Sequence, residues 1–218
     1  MNILVLNGSP KGEYSITLQT VNYLMKIYPE HTFDVLDVGH RIKALERDFS
    51  EAEKALKNAE LLLFSYPVYT FIAPYQLHRF IEIIKEKNID LKGKFATQLS
   101  TSKHFYDVTA HRYIQDNCAD MGLKYIRGLS ADMDDILTEK GQKEAKDFLS
   151  FVLFSIENNL YEKESVINTP AKKIAVTVPE ENNAEKKGDV VILTNCKDDD
   201  VQLKNMIARF RAVTPRKT

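Results

Sequence analysis

Apolar residues fall along this chain in short blocks of two alternating kinds. Ile3, Leu4, Val5 and Leu6 are contiguous, as in a strand buried on both faces, and Leu18, Val21, Met25 and Tyr28 then recur at helical spacing. Residues 32–38 alternate as a second strand, and 39–49 read as a polar connection. Ser50, with Glu53 three residues on, forms a capping box that opens a short helix. Residues 61–64 are another contiguous apolar run, followed by a loop over 65–73. Pro74 then starts a helix where its missing N–H costs nothing, with Leu77, Phe80, Ile81 and Ile84 on one stripe. A fourth strand at 95–100 and a polar, aromatic loop at 101–106 follow. Residues 107–121 predict a helix closed by Gly122, 124–131 a weaker fifth strand, and 138–160 a long helix.

Five strand–helix units in succession predict an α/β fold over residues 1–160: a doubly wound, five-stranded parallel sheet with helices on both faces. Ligands of such sheets bind beyond the carboxyl ends of the strands, so the loops after the first, third and fourth strands should share one edge. Residues 161–218 form a C-terminal appendage outside that pattern. It carries expected strands at 172–178 and 189–194, a charged stretch at 180–188 and a helix at Val201–Val213. Its apolar run, polar loop and helix repeat the opening of the chain. The appendage is therefore either the start of a second, truncated domain of the same kind or a hairpin and helix packed on the first.

Composition narrows the function. The 218 residues are 44% hydrophobic and 28% charged with a net charge of −1, which suits one domain plus an appendage or two small domains. No basic excess points to nucleic acid, and no strong acidity points to a highly acidic electron carrier. The chain opens directly on a strand pattern without a signal-peptide layout. It has no apolar run of about 18 residues, so no membrane span is expected and the cytoplasm is the expected compartment. Cys118 and Cys196 are the only cysteines, too few for a four-cysteine metal site.

The chemistry concentrates in residues 7–17, Asn-Gly-Ser-Pro-Lys-Gly-Glu-Tyr-Ser-Ile-Thr, between the first strand and helix. Gly8 and Gly12 do not make a G-x-G-x-x-G fingerprint, and Lys11 precedes Gly12 rather than following it as in a nucleotide P-loop. The loop is rich in hydroxyls instead: Ser9, Ser15 and Thr17, with Lys11 to balance charge. Hydroxyls and N–H groups at a helix start suit a terminal phosphate dianion, although Ser15 and Thr17 also suit simple helix capping. His31, His40 and His111 lack metal-ligand spacing and read as surface or incidental. The acidic clusters at 132–135 and 198–200 read as solvated turns, so no metal site is expected. No Ser-His-Asp or Cys-His arrangement is supported by a nucleophile turn.

Asn7-Gly8-Ser9-Pro10-Lys11 with Ser15-Ile16-Thr17 resembles the G-S-P-[RK]…S-N-T loop of the flavodoxin-like NADPH-dependent FMN reductases, which include NAD(P)H-quinone reductases. Pro67-Val68-Tyr69, followed by Pro74, Leu77 and Phe80-Ile81-Glu82, is similar to that family's second loop and helix. Thr101-Ser102-Lys103-His104 stands where its third flavin loop stands. The resemblance covers about residues 1–160. Ile16 departs from the usual Asn, which removes a side-chain contact but leaves an N–H. The iron–sulfur flavoprotein branch is excluded for want of a cysteine cluster.

The resemblance implies that Ser9, Lys11, Ser15, Ile16 and Thr17 hold the FMN phosphate. It sets Pro67, Val68, Tyr69 and Thr70 along the isoalloxazine, with backbone N–H groups near its polar edge, and it sets Thr101, Ser102 and His104 over the ring. It implies an FMN-dependent enzyme that passes a hydride from NAD(P)H to a quinone, flavin or other small acceptor, working as a homodimer. FMN carries that chemistry, so no protein acid or base is singled out. The alternative is a flavodoxin-type carrier that binds FMN without using NAD(P)H. A flavin-free relative is a third reading.

Overall fold

The computed structural model describes residues 1–103, 107–163 and 190–214. These fall into two units, described separately.

In the first unit the strands are β1 (Asn2–Asn7), β2 (Thr32–Leu36), β3 (Leu61–Pro67), β4 (Phe95–Ser102), β5 (Lys124–Tyr125) and β6 (Leu129–Asp132). The helices are α1 (Ile16–Ile27), α2 (Val38–Arg47), α3 (Ser50–Asn58), α4 (Tyr75–Glu86), α5 (Val108–Asp120) and α6 (Glu139–Glu157). The sheet runs β2-β1-β3-β4-β5, and every pairing is parallel. This is the flavodoxin-like, doubly wound order expected from the strand–helix alternation.

Side chains alternate across the central strands, and each face has its own core. Leu4, Leu6, Leu62 and Phe64 pack with Ile42 of α2, Leu56 of α3, Phe80 of α4 and Ile114 of α5. Ile3, Val5, Leu61 and Leu63 pack with Val21 and Leu24 of α1 and with Leu149 and Val152 of α6. Helices thus cover both faces, and β1, β3 and β4 are buried on both sides; β1 and β3 meet this with contiguous apolar runs, whereas β4 buries Thr97, Gln98 and Ser100, which are hydrogen-bonded. The rising register Val5↔Leu63↔Thr97 brings the ends of β1, β3 and β4 out on one edge.

Several local expectations are corrected. Residues 39–49 are not a polar connection, because 38–47 form α2. Val38, Gly39, Ile42 and Leu45 are its buried stripe, diluted in sequence by charged residues on the outer face. The Ser50–Glu53 capping box does not form. Asp48 Oδ1 takes the Ser50 N–H at 3.0 Å, and Phe49 occupies the cap position. The fifth strand is split: Ile126–Gly128 interrupts it, and β5 and β6 both pair with β4, at opposite ends of that strand. β3 and β4 run past the expected 61–64 and 95–100 because Tyr66, Pro67, Thr101 and Ser102 stay in register.

In the second unit α7 (Val201–Val213) forms as expected, with Asp200 accepting the Leu203 N–H at 2.9 Å. Residues 190–194 of the expected strand at 189–194 are not in a strand, and Val191 and Leu193 are exposed. A strand needs a ladder partner, and the one expected at 172–178 lies outside the described residues. Cys118 and Cys196 are both free thiols. No helix among the described residues is long and apolar enough to cross a membrane.

Candidate functional site at the carboxyl edge of the sheet

The loop leaving β1 is held from beneath. Gly8 N–H donates to Ser65 O at 2.8 Å, and Asn7 Nδ2 donates to Asp37 Oδ1 at 2.7 Å and to Gly12 O at 3.0 Å. Gly12 takes φ +56°, a left-handed conformation that glycine adopts without a Cβ penalty. Gly39, in the first turn of α2, lies so close beneath the loop that a Cβ there would sit 2.2 Å from Ser9 O.

The donors of this loop are largely committed. The Ser9 N–H goes to Asn7 Oδ1, that of Lys11 to Ser9 Oγ, and that of Gly12 to Ser9 O. Ser15 caps α1 by accepting the Leu18 N–H at 3.4 Å. The N–H groups of Ile16 and Thr17 belong to the first helical turn, where no intrahelical carbonyl can reach them. They stand at the positive end of the α1 dipole. Lys11 is exposed and has no carboxylate partner among the described residues.

The loop after β3 is built differently. Tyr69 and Ile72 exchange N–H···O bonds of 3.2 and 3.4 Å around Thr70 and Phe71, at φ +48° and +77°. Two non-glycine residues in the left-handed region make a tight, strained turn of the type often found at ligand sites. Val68 N–H donates to Thr101 O at 2.9 Å, tying the turn to β4. The expectation of several ring-facing N–H groups here is therefore narrowed. Pro67 has none and those of Val68 and Tyr69 are engaged, leaving that of Thr70. Of the aromatics near the site, Tyr66 is core and donates to Gln98 Oε1 at 2.5 Å, whereas Tyr69 and Phe71 are exposed.

These segments enclose one cavity of about 310 Å³. It is lined by Ser9, Lys11, Ser15, Ile16 and Thr17 from the first loop, Pro67, Val68, Tyr69 and Thr70 from the second, and Thr101 and Ser102 from the end of β4. Eleven of the twelve candidate residues thus stand around one space, although they come from three distant stretches. The twelfth, His104, lies outside the described residues. Thr17 and Thr101, both buried, share a 2.6 Å hydroxyl–hydroxyl bond that joins the first and third loops. One end of the cavity offers N–H donors, hydroxyls and a cation, which is a donor set for a phosphate monoester. The other offers Val68, Tyr69 and strained backbone, a surface for a flat ring.

Lys103 and Met133 also line the cavity but were not singled out from sequence. Met133 N–H donates to Ser102 O at 3.0 Å, which brings the segment after β6 over the site. Its acidic neighbours shape that turn: Asp135 Oδ2 accepts the Asp132 N–H at 2.7 Å, and Asp134 holds Lys103 Nζ at 2.7 Å. Only the backbone pairing of β6 with β4 could have revealed this. His111 is not incidental either. Its Nε2 lies 2.8 Å from Ser100 Oγ, and burial pulls its pKa below the usual value.

Comparison with known proteins agrees with this architecture. Residues 1–131 match a family described as having a flavodoxin-like fold. A curated relative, FMN-dependent NADH:quinone oxidoreductase 2 of Pseudomonas syringae pv. tomato, is 28% identical over 118 residues, 41% of this chain and 56% of its own length. The chain therefore spans little more than half of that relative. An FMN-dependent NADH-azoreductase of Bacillus anthracis, solved with FMN, superposes at a TM-score of 0.54 with 16% identity, covering 69% of this chain and 98% of that one. A flavodoxin of Fusobacterium nucleatum bound to flavin mononucleotide superposes at 0.55 with 16% identity, covering 71% and 98%.

Proposed function

The chain belongs to the flavodoxin-like fold family, and from that premise we propose that it is an FMN-dependent NAD(P)H oxidoreductase that reduces a quinone, flavin or other small acceptor. The observation that carries this reading is the single cavity on which three sequence-distant loops converge, with a phosphate-type donor set at one end and a ring-sized surface at the other. The name of the Pseudomonas syringae relative points the same way.

The phosphate of FMN is held by the Ile16 and Thr17 N–H groups, the Ser9, Ser15 and Thr17 hydroxyls and the Lys11 cation. Thr17, through its bond to Thr101, fixes the distance between this end and the ring end. Pro67, Val68, Tyr69 and Thr70 carry the ring, with the Thr70 N–H as a donor to its edge. Thr101 and Ser102 close the opposite side, to which the resemblance also assigns His104. Bound FMN supplies two-electron chemistry between nicotinamide and acceptor. The protein's part is to orient the ring, keep one face open for nicotinamide and then acceptor in turn, and exclude water beneath it.

Residues 1–160 form the FMN-binding domain in this reading, with 161–218 as an extension. The protein is a cytoplasmic homodimer, and a second copy covers the exposed Tyr69, Phe71 and Ile72 at the cavity mouth. Incubation with FMN followed by desalting tests the binding step. Retained flavin absorbance at one equivalent per chain is expected, and a colourless protein would refute the reading.

A further inference from the structure

One carboxylate connects the candidate flavin cavity to a second cavity. Asp107 stands at the N-cap position of α5, yet its side chain caps no helical N–H. Its Oδ2 instead accepts the Ser102 hydroxyl at 2.8 Å and the Ser130 hydroxyl from the other direction. Its Oδ1 is buried without a partner, an arrangement that costs stability and calls for a functional reason. Ser102 lines the cavity shared with Ser15 and Thr17. Asp107 and Ser130 line a separate, open cavity of about 660 Å³, together with His111 and Arg127. Asp107 itself is 9% exposed, whereas Ser130 is open to solvent. Titratable groups facing the carboxylate include His111 on α5 and Tyr66 on β3, and Arg112, Tyr125, Arg127 and Glu162 line the same outer cavity.

Ser102 Oγ, the Asp107 carboxyl and Ser130 Oγ form an unbroken hydrogen-bonded path from one cavity to the other, and a hydroxyl can accept and donate at once. We infer that Asp107 relays protons from the outer cavity to the Ser102 hydroxyl at the flavin cavity. This rests on the oxidoreductase reading. Reduction of a quinone to a quinol takes two electrons and two protons. The hydride from the nicotinamide brings both electrons and one proton, and the second proton comes from water. As Ser102 gives its hydroxyl proton to the acceptor oxygen, the Asp107 carboxylate takes the Ser130 hydroxyl proton and passes it to the Ser102 oxygen. Ser130 is reprotonated from water in the outer cavity. Only O–H bonds form and break, and one proton is taken up from solvent per turnover. Asp107 is thus a positioning residue that acts through Ser102.

The test uses the full chain loaded with FMN and compares wild type, Asp107→Asn and Ser130→Ala. Reduction by NADH and reoxidation by a soluble benzoquinone are timed separately, in H₂O and D₂O. In Asp107→Asn, reoxidation should slow by about 10²-fold, the scale of a lost proton-transfer group. Its solvent isotope effect should change, while FMN affinity and reduction by NADH stay at wild-type values. Ser130→Ala, an exposed position with little bearing on folding, should slow reoxidation less, because water in the outer cavity can reach the carboxyl directly. In the FMN-free protein, exchange of the Ser102 hydroxyl proton with water, followed by NMR, should slow in Asp107→Asn. Wild-type reoxidation and isotope effects in both variants would overturn the relay alone. So would equal slowing of both half-reactions in Asp107→Asn, which marks a structural role. If Asp107→Asn does not fold, Asp107→Ser takes its place and is judged by the same criteria. A wild-type protein that binds FMN but is reduced by neither NADH nor NADPH, or that binds none, would overturn the relay together with the oxidoreductase reading.

Discussion

In the proposed function Ser15 has two roles that a single substitution can separate. It caps α1 and it lines the cavity where a phosphate would sit. Ser15→Asp keeps a good cap, so the melting temperature should hold, but it sets a carboxylate against a dianion. FMN affinity should fall at least about tenfold, a loss of roughly 1.4 kcal/mol. If Ser15 is only a cap, affinity measured by flavin fluorescence will not change. The histidines make a second prediction. Burial holds His78 and His111 below the ordinary imidazole value. The unfolded chain therefore takes up protons on them first as the pH drops. Their contribution to stability is complete above about pH 6.5 and is lost as pH falls below it. The urea midpoint should decline on acidification through that range, and His111→Gln should flatten the decline. At this scale the hydroxyls and lysine of the first loop were legible because their types and order are unusual. Met133 was not, because nothing in a sequence says that a residue 31 positions past Ser102 will hydrogen-bond to it.

At the level of elements, the contiguous apolar runs announced β1 and β3, strands buried on both faces; β4, equally buried, carries hydrogen-bonded polar residues instead and had no such run. Helix α2 was hidden because its stripe of Val38, Gly39, Ile42 and Leu45 contains a glycine, a poor helix former. The same glycine explains the helix's position: at Gly39 the backbone passes directly under Ser9. Gly39→Ala should therefore cost more than a surface substitution, about 1–3 kcal/mol. It should also weaken FMN binding by lifting the loop, although Gly39 itself lines no part of the cavity. Loss of stability by urea denaturation with unchanged FMN affinity would show that the loop is held by other contacts. The split of β5 from β6 was illegible for a different reason. Both segments have strand composition, and the interruption is visible only in their pairing with opposite ends of β4.

For the whole molecule, alternation of strands and helices was enough to give a doubly wound parallel sheet with helices on both faces, because right-handed crossovers leave few ways to wind it. The extension was least legible. Its helix at 201–213 was read correctly, but a strand depends on a partner that sequence does not locate. A chain ending at Lys163 retains both core layers, and among the described residues the last two hydrogen bonds of the first unit involve Glu162, to Tyr125 O and Gln115. It should fold and hold FMN as tightly as the full chain, as measured by equilibrium dialysis; a weaker grip would assign the extension a part in the site. The central claim meets its most direct test under nitrogen, with the FMN-loaded protein mixed with NADH or NADPH and followed in the visible range. Prompt bleaching of the flavin bands, with colour restored by a quinone, is the predicted result. A flavin that stays yellow with both nucleotides would contradict the oxidoreductase and make the protein an electron carrier.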